Sequence, residues 1–237
     1  MTPYQYVSNN PIMKVDPTGM EDHDYRLNRD GKLEPINNTN DNFDRIFAED
    51  NNDGVPLVVD KSFLKSLSRP KYEGRFEGKI SPSLLKTYGK SIFHFFADNT
   101  DVEWNYSEFS NSKTGEKFGH IVTSFHKSTV LGAAYYTEDI LDSSPDINWD
   151  YNIHNHPSTY NNVKDFRPSG WNFNEKEGAY VKTIDESTGK PNGDRGFYQS
   201  FKLNPNYNKR MPNYFDVYSP KLNKTIKYNN ESFYPIN

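Results

Sequence analysis

Residues 147–157 read INWDYNIHNHP. Two of the chain's six histidines flank a single asparagine, and a proline follows directly. In extended backbone, residues two apart point to the same side of a strand, so His154 and His156 present two imidazoles to one point. Pro157 holds His156 in the extended region and stops the strand behind it. Imidazole binds zinc at ~2.0–2.1 Å, and a catalytic zinc takes three protein ligands while keeping one position for water. The chain has no cysteine, which excludes disulfides and thiolate sites. The third ligand of such an ion therefore falls to a carboxylate. A neighbouring glutamate would then deprotonate zinc-bound water, whose pKa falls to about 7. The competing reading of the same triplet is a pair of solvated surface histidines.

Composition narrows the setting. At 237 residues the chain exceeds an average domain without requiring two. Hydrophobic residues make up 33% and the mean hydropathy is -0.95, so aromatic side chains must supply the apolar area. The 17 Tyr, 16 Phe and 3 Trp can do so, which predicts one core of moderate size beside long solvated segments. A net charge of -4 gives no electrostatic footprint for nucleic acid. No apolar run reaches the ~20 residues of a membrane span. The opening MTPYQYVSNN lacks the basic start and apolar stretch of a signal peptide.

Outward from the histidines, the chain reads as alternating elements. SPSLLKTYGKSIFHFFADN (81–99) has a serine cap, a proline in the first turn and helically spaced apolar residues. In DVEWNY (101–106), Val102, Trp104 and Tyr106 alternate with Glu103 and Asn105, as in a strand. FGHIVTSFHK (118–127) and TVLGAAYYT (129–137) read as two more strands. Residues 157–193 are irregular, and loops of that length are commonly functional. GDRGFYQSF (193–201) reads as a short helix with Asp194 at its start, and FDVYSP to TIKYN as a closing hairpin. Upstream, residues 21–80 form a polar, β-rich lead-in with hairpin-type turns at RDG and NDG and a strand in VPLVV. The expected fold is mixed α/β (α+β), with a mixed β-sheet flanked by helices.

Two resemblances extend this reading. Tyr4, Tyr6, Asn9, Asn10, Pro11, Asp16, Pro17 and Gly19 resemble the signature that closes the core of bacterial Rhs proteins, after which a variable toxin domain begins. Residues 82–230, with HNHPS at 154–158, resemble the JAMM/JAB metallopeptidases, and within them the toxin-type JAB domains appended to Rhs proteins. Together these imply three parts: residues 1–20 as the end of an Rhs core, 21–80 as lead-in and 81–237 as a JAB-like metalloprotease toxin domain. They also imply Zn2+ as cofactor, His154 and His156 as ligands, and Glu103 as catalytic base, with Glu108 and Glu116 as rivals. The family's Ser-x-x-Asp would put its aspartate eleven residues past the second histidine, where this chain has Arg167. Asp194 is the expected replacement, with Asp165 and Asn172 as alternatives and 158–193 as an insertion. No serine stands at the family's spacing before Asp194, which leaves backbone amides or Asn192 to take its part. His94, His120 and His126 are read as structural or solvated.

The implied function is a polymorphic toxin tip: a zinc-dependent peptidase or isopeptidase acting on a protein or peptide, without nucleic acid or membrane span. It would be delivered without a signal peptide into the cytoplasm of a target cell, and countered by a cognate immunity protein. The alternatives are a nuclease-type Rhs toxin and a catalytically inactive JAB-like binding module.

Overall fold

The computed structural model describes residues 22–39, 43–50, 54–60, 63, 76–125, 132–157 and 166–236. The Rhs-like string at 1–20, His126 and Asp165 lie outside the described residues.

The lead-in forms a small sheet. Strands β1 (Asp22–Leu27), β2 (Leu33–Thr39), β3 (Phe43–Ala48) and β4 (Leu57–Asp60) lie in the order β2-β1-β3-β4. The RDG turn joins the first two, with Gly31 at φ 85, a backbone conformation that favours glycine. Leu27, Ile46, Leu57 and Val59 are buried in one cluster with residues of the following elements.

Next come β5 (Phe76–Ile80), α1 (Pro82–Thr87), α2 (Lys90–Asp98), β6 (Trp104–Asn111) and β7 (Lys117–Thr123). The expected helix over 81–99 is thus two helices. Ser81 Oγ caps the first by accepting from Leu84 N, and Gly89, at φ 41, breaks the chain before the second. Ile92, Phe93, Phe96 and Ala97 form the buried stripe of α2. Phe96 packs against Trp104 with ring centroids 4.5 Å apart.

The following element corrects the sequence reading of 129–137 as a strand. Residues Gly132–Ser143 form helix α3. Its buried positions, Ala133, Tyr136, Thr137 and Leu141, follow the helical period, and paired alanines favour a helix over the pleated form. Beyond it lie β8 (Ile147–Asn155), β9 (Trp171–Asn174), β10 (Ala179–Lys182), α4 (Gly193–Leu203), β11 (Phe215–Ser219), β12 (Lys224–Tyr228) and β13 (Phe233–Ile236). The long irregular stretch therefore carries a hairpin, β9 paired antiparallel with β10.

The larger sheet has the order β13-β12-β11-β8-β6-β7-β5. It takes in β5, which the sequence reading assigned to the lead-in. Within it β8 and β11 run parallel, and every other neighbouring pair is antiparallel. A parallel pair needs a long crossover, and the chain uses that crossover to carry the hairpin and α4. The fold is thus mixed α+β, with sheets flanked by helices.

A β-bulge sorts the two faces of β8. Asn105 pairs with His154 and Ser107 with Asn152, so these four share one face. Strict alternation would send Trp149 to the other face. The register shifts between Glu108 and Phe109, and Phe109 then pairs with Trp149. Trp149 enters the cluster of Phe201, Phe215 and Tyr228 and is 1% exposed. That cluster seats α4, whose first turn carries Asp194. Trp149→Ala is therefore expected to cost about 3–5 kcal/mol of folding stability. Chemical denaturation measures this, and a loss under about 1 kcal/mol would show that the bulge does not commit the indole to the core.

Candidate metal centre

The last turn of β8's pleat builds half of the site. β8 ends its ladder with β6 at His154, yet its backbone stays extended because His156 N donates to the Tyr218 carbonyl of β11 at 2.8 Å. The two imidazoles consequently lie side by side with their Nε2 atoms 3.1 Å apart. Both residues are buried, at 7% and 6% exposure, which removes the reading of a solvated surface pair.

The first turn of α4 builds the other half. Asp194 Oδ1 lies 3.1 Å from His154 Nε2, and Oδ2 lies 3.3 Å from His156 Nε2. Ligand atoms of His154, His156 and Asp194 all fall within 4.8 Å of one another. Glu103, immediately before β6, brings Oε1 to 4.0 Å from His156 Nε2 and is buried, not facing solvent. The spacing of the histidines and the JAMM/JAB resemblance implied these four residues, and the fold brings them together.

Their charges are strongly coupled. Burial opposes ionisation of Asp194, but the two imidazoles outweigh it and hold its carboxyl well below the usual range. Burial would lower the His156 imidazole, yet Asp194 and Glu103 raise it above its ordinary value. Burial pushes Glu103 up to about 7, against the imidazoles and with the help of Asp194. A cation shared by the triad would counter that rise.

The donor set fits a divalent metal. Two imidazole nitrogens whose lone-pair edges face each other need a proton or a cation between them. With a carboxylate as third donor and no thiolate, the set is the two-histidine, one-carboxylate type that suits a divalent ion such as zinc or iron(II).

The other candidates sit elsewhere. Asn172 is exposed on β9, and Arg167 donates through Nε to the Trp171 carbonyl. Glu108 accepts from the Tyr106 hydroxyl at 2.9 Å, and Glu116 is exposed beside a turn. His94 packs against the rings of Phe93 and Tyr218, and His120 against Tyr136. Asn192 uses its Oδ1 to accept from Thr183 Oγ1.

The sequence reading gave Ser169 no role beside Asp194. Its backbone N–H donates to Asp194 Oδ2 at 2.7 Å, and its Oγ accepts from Asp194 N at 2.8 Å. The serine thus caps one of α4's unpaired N–H groups and aims the carboxylate at the histidines. Glycine is required where it approaches: Gly193 has φ 57, and a Cβ there would collide with the Ser169 side chain. Removing residues 171–192 would leave Ser169-Gly170-Gly193-Asp194, a Ser-x-x-Asp. Set against the Ser-x-x-Asp that the resemblance implies, the β9–β10 hairpin would be an insertion inside that motif. A longer run between Pro157 and Ser169 adds the rest of the displacement. The signal was the pair of glycines bracketing the insertion.

Residues 86–199 match the family model described as JAB-like toxin 1. That match supports a JAB-like toxin domain here. It takes in Glu103, His154, His156, Ser169 and Asp194, so the residues gathered by the fold all belong to the JAB-like stretch. No curated protein and no solved structure matches the chain. For a divalent metal held by this triad, Ser169→Ala is expected to weaken binding roughly 10–100-fold by freeing Asp194 to turn away. Competition against a chromogenic chelator reads the affinity, and an unchanged value would show that Asp194 is aimed without its serine partner.

Proposed function

We propose that this chain is a zinc-dependent amide-bond hydrolase, a peptidase or isopeptidase, serving as the toxin tip of an Rhs-type protein. The observation that carries the reading is the buried convergence of two imidazoles and one carboxylate, with a second carboxylate 4.0 Å from His156. Zinc held by His154, His156 and Asp194 would supply Lewis acidity, polarising a substrate carbonyl and acidifying water. Asp194 offsets part of the ion's charge from the N-terminal turn of α4, and Ser169 keeps it in place. Glu103 Oε1 stands 4.0 Å from His156 Nε2, beyond hydrogen-bond length, which suits a base that acts on a water beside the triad. It takes a proton from the attacking water and returns it to the departing amine nitrogen. Ser169 spends its oxygen as an acceptor for Asp194 N, so its hydroxyl proton remains to stabilise negative charge on the carbonyl oxygen.

The JAB-like and Rhs resemblances support a wider setting for this activity. A toxin of this kind meets its target in the cytoplasm of another cell, and a cognate immunity protein guards the producer. Among the described residues no helix is long and apolar enough to cross a membrane. Residues 81–237 are proposed as the toxin unit, with 1–20 as the Rhs boundary.

Three variants separate binding from chemistry. Glu103→Ala is expected to retain one zinc per chain by elemental analysis and to lose growth inhibition on expression in a bacterial host. His154→Ala and Asp194→Ala should lose both. If Glu103→Ala inhibits growth as the wild type does, the hydrolase assignment is wrong. Stripping the metal supplies another check. Because zinc binds the folded chain alone, chelation should lower the melting temperature by several degrees, and re-addition should restore it. A melting temperature indifferent to chelator and zinc would remove the metal from the proposal.

A further inference from the structure

We infer that Asn155, the residue between the two histidines, is a positioning residue for Glu103. The inference builds on the catalytic reading of Glu103 given above. Glu103 stands just outside β6, where the main-chain ladder to β8 has already ended at Asn105 and His154. On that side β8 no longer pairs with the main chain, while on the other β7 still pairs Thr123 with Trp104. The Asn155 side chain takes the place of β8's main chain. Its Oδ1 accepts from Trp104 N at 2.6 Å, and its Nδ2 donates to the Val102 carbonyl at 3.1 Å. A carboxamide carries one acceptor and one donor, as a peptide unit does. It thereby continues the ladder for one more step and grips the backbone on both sides of Glu103.

Two further contacts complete the clamp. Thr123 Oγ1, from β7, donates to the Glu103 carbonyl at 2.7 Å. Trp104 Nε1 donates to Thr100 Oγ1 at 2.8 Å, which fixes the indole beside Phe96. Asn155 is 0% exposed, so bulk water does not compete for its amide in the folded chain. One strand end thus performs two tasks. His154 and His156 project to one face for the ion, while the intervening Asn155 reaches sideways to hold the base. The spacing of base and ligands is set within a single stretch of three residues.

The chemistry explains why such a clamp matters. A general base works within hydrogen-bond reach of its proton, and a shift of about 1 Å can reduce turnover on the order of 100-fold. Asn155→Ala removes both bonds without touching either imidazole.

Three measurements on the full chain test the role. In the wild type, the Trp104 amide should exchange with solvent deuterium as slowly as the ladder amides of β8. In Asn155→Ala it should exchange at least about tenfold faster. The variant should still bind one zinc per chain, yet need at least about tenfold more expressed protein for the same growth inhibition. Leu84→Ala, a buried truncation in α1, shows what lost stability alone does to that inhibition. Loss of zinc from Asn155→Ala would make the residue a support for the histidines and overturn the inference. So would full toxicity with an exposed Trp104 amide, or a wild-type Trp104 amide that exchanges freely. The exchange result does not depend on catalysis, so failure of the hydrolase reading in Glu103→Ala remains distinguishable from failure of the clamp.

Discussion

The contact between Asp194 and the paired imidazoles of His154 and His156 governs the rest of this structure. Burying a carboxylate and two imidazoles is unfavourable unless they neutralise one another or share an ion. The fold supplies that condition by bringing the N-terminal turn of α4 against the end of β8. The parallel pairing of β8 with β11 makes the meeting possible, because the crossover between them must leave the sheet and return. Aromatic packing holds the meeting in register: Trp149 stands against Phe201 and Phe215 with centroids 5.0 and 4.6 Å away.

Around this contact the sheet divides its labour between two faces. One face buries Trp104 and Tyr106 against α2 and the small amino-terminal sheet. The other carries Asn105, Ser107, Asn152 and His154, an unusually polar strip for a buried surface. Asn152 Nδ2 donates to both Asn105 Oδ1 and Ser107 Oγ, so most of that strip's polarity is met internally. The sheet thus keeps its apolar packing on one face at this point, with Tyr106, Ile121 and Ile153 buried there, and gathers its polar residues on the other.

The β9–β10 hairpin separates Ser169 from Asp194 in sequence but not in space. It enters between Ser169 and Asp194 but leaves from adjacent points, since Ser169 and Asp194 exchange two hydrogen bonds. Loop length costs little when the ends of the loop are pinned together. The hairpin packs through Trp171 and Tyr180 against Phe233 of β13, so it rests on the sheet edge. Its stem thereby steadies the serine that aims the carboxylate.

The sequence alone determined what local rules control. His154 and His156 share a face because a proline-stopped strand allows little else, and Asp194 starts a helix because an acidic residue suits that end. The α+β class was legible for similar reasons, whereas Glu103 was implied only by the JAMM/JAB resemblance. Tertiary structure decided the rest. The helix at Gly132–Ser143 was misread because its β-branched flank resembles a strand, and packing on Val122 overrides that tendency. The bulge that turns Trp149 inward depends on its partner Phe109, which no alternation of β8 itself encodes. Ser169 and Asn155 act on residues 25 and 51 positions away, so their roles became visible only when the fold made distant backbone atoms into hydrogen-bond neighbours.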